Sequence, residues 1–123
     1  MVTQRPNKIS SFRDLEIWQR GITLTEAIYE STKTFPKEEL YGLVSQIRRS
    51  AVSISSNIAE GFGRRYNKEY KHFLHISLGS CAELSTQVTI AERLKYINQE
   101  TAGGFVTEAD EISRMIMSLI KKL

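Results

Sequence analysis

Apolar residues recur along the chain at alternating steps of three and four, the repeat that lays them along one side of an α-helix. Four such blocks follow one another, separated by helix-breaking signals. In the first, Leu15, Trp18, Ile22, Thr25 and Tyr29 form a stripe, with Ile17, Leu24 and Ile28 beside it. Ser11 and Asp14 stand three apart, as in a capping box, and predict a helix over 13–34. Pro36 ends it, because the residue before a proline is pushed out of helical backbone and proline suits a helix's first turn. The second stripe, Leu40, Val44, Ile47, Ala51, Ile54 and Ile58, predicts a helix over 37–61, stopped by "GFG". With Asn67 as its cap, the third runs over 67–97 through Tyr70, Leu74, Ser77, Cys81, Leu84, Val88 and Ala91. Asn98 caps the fourth, over 99–122, whose stripe is Phe105, Ala109, Ile112, Ile116, Leu119 and Leu123.

Steps of three and four are the seam of left-handed antiparallel packing. The short connections make consecutive helices antiparallel neighbours. The expected fold is all-α, an antiparallel up-down-up-down four-helix bundle over 12–123, preceded by a flexible, polar N-terminal tail over 1–11. With 123 residues the chain reads as one domain with a core of its own. No apolar run approaches the ~18 residues of a membrane span. The start "MVTQRPNKISS" lacks the apolar stretch of a signal peptide. A single cysteine, Cys81, excludes an internal disulfide and sits on the core stripe. A cytoplasmic protein, off the membrane, is expected.

Charge changes the picture locally. The net charge is +3, yet residues 42–75 alone carry Arg48, Arg49, Arg64, Arg65, Lys68 and Lys71 against Glu60 and Glu69. A local basic excess is the footprint of a polyanion partner, and also occurs on proteins that bind none. On a helical wheel of ~100° per residue, Gly42, Arg49, Ser53 and Ser56 lie opposite the second core stripe, with Ser45 and Val52 close by. Glycine and serine are poor helix formers, so they suggest something approaching closely, which marks these six residues as a candidate interface between subunits. A serine-rich solvated face is the plain alternative. Arg48 lies at the edge of the core stripe, where antiparallel register places it level with the third helix. A structural ion pair between Arg48 and Glu83 is expected there.

The second arginine pair lies in "GFGRRYNKEYKHF". Arg64 and Arg65 occupy a loop, and Lys68, Lys71 and His72 the first turns after it, interleaved with Phe62, Tyr66, Tyr70 and Phe73. Basic groups neutralise phosphates, and aromatic planes stack on unpaired bases. These five basic residues are the candidate nucleic-acid site, with an ordinary solvated loop as the alternative. Chemistry is otherwise thin. His72 and His75 lack a third ligand at metal spacing, Cys81 has no partner base, and no glycine-rich loop follows a strand. Neither metal nor cofactor nor catalytic residue is expected.

"FRDLEIWQRGITLTEAIYESTKTFPKEELYGLVSQIRRSAVSISSNIAEGFGR", "FLHISLGSCAELSTQ" and "ISRMIMSLIKKL" together resemble the four-helix-bundle family of 23S rRNA intervening-sequence proteins over about residues 12–122. Some relatives carry Pro where this chain has Ser55. The resemblance implies small bundles that assemble into barrel-like homopentamers, some encoded within intervening sequences of large-subunit rRNA genes. It also implies a likeness in fold to accessory variability proteins of diversity-generating retroelements, which bind nucleic acid and a reverse transcriptase. It implies no enzyme activity and supplies no binding residues. The expected function is therefore a non-catalytic homo-oligomer, a pentamer by resemblance, that binds structured RNA or DNA through its basic surface. A reverse transcriptase is a further partner implied by the resemblance. The competing reading is a protein-interaction scaffold that binds no nucleic acid.

Overall fold

The computed structural model describes residues 9–123. Four helices follow one another, α1 Glu16–Thr32, α2 Leu43–Phe62, α3 Asn67–Arg93 and α4 Gln99–Lys122, with 3-10 turns at Phe12–Asp14 and Lys37–Glu39. Neighbouring helices pack pairwise, α2 against α3 most extensively and α1 against α4 least. The fold is an all-α up-down bundle. Of the expected N-terminal tail, residues 1–8 lie outside the described residues, and Ile9 already packs against the core.

The helix ends differ from the sequence reading in ways that local hydrogen bonds explain. Ser11 Oγ accepts from the Arg13 amide at 3.1 Å, but it caps the 3-10 turn, and α1 begins after an extended Leu15. Pro36 likewise starts only a 3-10 turn. Gly42, at φ −113° and ψ −110°, precedes α2, and the Glu39 carboxylate accepts from the Leu43 amide at 3.1 Å, in place of a cap on the helix itself. Leu40 therefore leaves the core stripe and is half exposed. At α3 the cap position is Tyr66, not Asn67. Asn67 Oδ1 is buried without a hydrogen-bond partner. α3 stops at Arg93, four residues early, because Lys95 turns left-handed at φ 69°. The Lys95 and Tyr96 amides then donate to Glu92 and Ala91 carbonyls, both at 2.9 Å, which is the Schellman closure of a helix end. Only Asn98 caps as read, its Oδ1 accepting from the Thr101 amide at 2.7 Å.

The core rows of α2, α3 and α4 are those of the sequence, with Val44, Ile47, Ala51, Ile54 and Ile58 facing Leu74, Cys81, Leu84, Val88, Ile112 and Ile116. In α1 the row beside the expected stripe is the buried one. Ile17, Gly21, Leu24, Ile28 and Thr32 face inward, while Ile22 and Tyr29 are 38% and 41% exposed. Gly21 is the reason, since a Cβ there would collide with Ser55 Oγ on α2. The helix turns its one glycine against that seam.

Candidate nucleic-acid interface and the outer face of the second helix

The small residues of α2 serve two purposes that the sequence could not separate. Several bond inside the bundle. The Ser55 hydroxyl donates to the Trp18 carbonyl at 3.1 Å, and Ser50 to Gln87 Oε1 at 2.9 Å. Ser80 donates to Ser53 Oγ at 2.8 Å, and Asn57 Nδ2 donates to the same oxygen at 2.9 Å. From α3, Ser77 donates to the Ile54 carbonyl at 2.9 Å. These buried hydroxyls draw α1, α2 and α3 together, each polar group satisfied as burial requires. Of the six residues read as an interface, Gly42 precedes the helix and Ser53 is engaged by its own chain, while Arg49, Val52 and Ser56 are exposed and Ser45 is half-buried.

The expected pairing of Arg48 with Glu83 is not what the structure holds. Arg48 turns toward α1, donating Nε to Thr32 Oγ1 at 2.9 Å and Nη2 to the Tyr29 carbonyl at 3.3 Å. Its guanidinium lies 4.5 Å from the centre of the Tyr29 ring. Glu83 is exposed on α3. The side was misread: at ~100° per residue, Arg48 falls on the α1 flank of α2, and Ser50 and Ser53 take the α3 flank. Beside Arg48 a shallow groove of about 710 Å³ runs between α1 and α2, walled by Tyr29, Leu40, Tyr41, Arg49 and Val52.

The basic turn is held tightly at its root. A Cβ at Gly61 would come within 2.8 Å of Phe73 Cβ, so α2 and α3 close on each other there. Phe62 and Tyr70, edge-on at 6.0 Å, are both buried. Their rings belong to the core, which leaves Tyr66, 54% exposed, as the open aromatic surface of the turn. Arg64 Nη2 reaches Glu60 Oε2 at 2.6 Å and its guanidinium stands 4.7 Å over the Phe73 ring. Arg65 and Lys68 are exposed, Lys71 is half-buried, and exposed His72 meets the Phe73 ring edge-on at 5.3 Å.

Two cations missed by the sequence reading stand at the same end of the bundle. Lys121 and Lys122 occupy the last turn of α4, and Lys122 borders a cavity of about 310 Å³ together with Phe62, Tyr70, Leu15, Glu16 and Leu119. The signal was available in principle, because antiparallel order returns the end of a fourth helix to the start of a third. Cys81 is buried, and burial pushes its thiol up against a smaller lowering by the Ser113 hydroxyl, which disfavours the reactive thiolate. Among the described residues no three His, Cys, Asp or Glu side chains gather to hold a metal ion. No helix among them is long and apolar enough to cross a membrane.

Fold and surface thus define a small up-down helical bundle with a basic turn exposed at one end. The sequence model of the 23S rRNA-intervening sequence protein family matches residues 13–118, and the chain belongs to that family. It is similar in fold to a crystal structure of a protein of unknown function from the S23 ribosomal protein family of Bacteroides thetaiotaomicron. That likeness has a TM-score of 0.77 at 22% identity and covers 85% of this chain and 98% of that one. No curated protein matches the chain.

Proposed function

We propose that the protein is a non-catalytic homo-oligomeric bundle that binds structured RNA or DNA through the α2–α3 end. The observation that carries this is the concentration of cations there. Arg64, Arg65, Lys68, Lys71 and His72 stand around the turn, and Lys121 and Lys122 close the adjoining end of α4. Arg64 contributes least, since Glu60 already meets its charge. Arg65 and Lys68 are the principal phosphate contacts, and Tyr66 is the stacking surface. In an oligomer each subunit repeats the patch, so a modest charge per chain sums to a strong field.

Binding of a structured RNA is measured by fluorescence anisotropy across a salt series. The wild type should lose affinity steeply with salt, and an Arg65→Ala/Lys68→Ala variant should bind weaker to every sequence, with a log–log slope lower by roughly two. Affinity that ignores both salt and the two substitutions overturns the reading. The exposed apolar groove between α1 and α2 favours a second reading, a protein-interaction scaffold. On that reading the same titration stays flat while the protein still assembles.

A further inference from the structure

We infer that the α1–α2 groove of one copy receives the outer flank of α3 of a second copy, with Arg49 of the first facing Glu83 of the second. This rests on the homo-oligomeric reading and assigns the two faces that would build it. Of the exposed large apolar side chains, Tyr29 on α1 and Val52 on α2 line the groove, and Ile76 and Ile90 lie on α3. Tyr41, 93% exposed, and Leu40 stand at the entrance to α2. Monomeric proteins scatter such residues singly, and a gathering of them marks an interaction surface.

The two flanks of α2 carry opposite charges in matching apolar settings. On the α1 side, Arg48 and Arg49 stand among Tyr29, Leu40, Tyr41 and Val52. Arg48 donates to the neutral Thr32 hydroxyl and Tyr29 carbonyl, and among the described residues neither arginine has a carboxylate partner. On the α3 side, the bonds of Ser77, Ser80 and Gln87 to α2 fix which way α3 faces. One step round the wheel, Ile76, Glu83 and Ile90 recur every seven residues, so they run straight along the helix as an apolar–acidic–apolar stripe. Glu83 likewise has no cationic partner among the described residues. Between Ile76 and Glu83, Gly79 has open space beyond its Cα, which lets a facing surface come close. The stripe spans about 21 Å at 1.5 Å per residue and the part of the groove on α2, from Val44 to Val52, about 12 Å, so the stripe is long enough to cover the groove.

Groove and stripe lie on opposite flanks of α2 and face different ways, so one chain cannot join them; two copies can. The contact joins unlike surfaces, is therefore head-to-tail, and closes into a ring if the rotation per subunit allows. Arg49 supplies the charge because Arg48 is already held against Tyr29.

Size-exclusion with light scattering tests this on the full chain. Arg49→Glu and Glu83→Arg each place like charges opposite one another, and should weaken assembly at least about tenfold and yield the 14.1 kDa monomer. Both positions are exposed, so helical circular dichroism should not change. The reciprocal double variant should recover the wild-type mass. A wild type that is monomeric at every concentration overturns the homo-oligomer itself. A wild-type oligomer that both single variants leave intact overturns the face assignment alone, and so does dissociation that the double variant fails to reverse.

Discussion

A methyl group added at Gly61 would meet Phe73 Cβ at 2.8 Å and the Tyr70 carbonyl oxygen at 3.1 Å, whereas one at Gly104 would meet nothing. Both glycines lie within helices, and the distance to the neighbour separates them. Gly61→Ala should destabilise the fold by roughly 1–3 kcal/mol through overpacking of the α2–α3 seam. Gly104→Ala should stabilise it by about 0.5–1 kcal/mol, the helix preference of alanine over glycine. Urea midpoints of the two variants against wild type measure both; equal shifts would contradict the close seam. The serines of α2 teach the same lesson. Their abundance was legible, but Ser50, Ser53 and Ser55 bond within the chain, and Ser56 is left to the surface. A hydroxyl's destination depends on which acceptor faces it, and no single-chain spacing encodes that. Arg48 went astray for the same reason: Thr32 and Tyr29 offered acceptors on the flank it occupies.

Every helix was legible as a helix, but outside α4 the ends were less so. Periodicity extends over many residues and survives local irregularity, while an end is set by one or two hydrogen bonds. The α3 terminus is the clearest instance. Lys95 holds the left-handed position at φ 69° that glycine ordinarily fills, and a side chain there costs about 1 kcal/mol. Nothing in "ERLKYINQE" announces the stop, since the residue that makes it is a lysine. Its compensation comes from tertiary contacts: Tyr96 packs at 5.4 Å on Phe35 and donates its hydroxyl to Glu39 at 3.0 Å. The same Glu39 caps α2 with its other oxygen, so one carboxylate secures two helix ends far apart in sequence. Lys95→Gly should raise stability by about 1 kcal/mol, read as a higher thermal midpoint. A lower midpoint would show that the lysine side chain makes a contact worth more than the strain.

Across the whole molecule, the thinnest seam is α1 against α4, and Arg20 closes it. Its guanidinium donates to Glu108 at 2.7 and 2.8 Å and to Glu111 at 3.1 Å. These bonds hold the Glu111 carboxyl below its ordinary value of 4.5, with Arg114 adding to the effect. A carboxyl depressed on folding stabilises the native state above its unfolded pKa and loses that contribution as pH falls through the folded one. Stability should therefore drop as pH falls below about 4.5, and the drop should be shallower in Arg20→Gln. Urea titrations at several pH values compare the slopes, and parallel curves would remove Arg20 from acid stability. By itself the sequence determined the number of helices, their antiparallel order, the buried rows of α2, α3 and α4, and the cap at Asn98, because these follow from residue periodicity and local backbone chemistry. Only the tertiary structure decided how α1 is turned about its axis, which serines are spent inside and where Arg48 bonds. A helix carries its stripe with it, but its rotation and its neighbours' reach are settled by what stands opposite, as Ser55 does to Gly21.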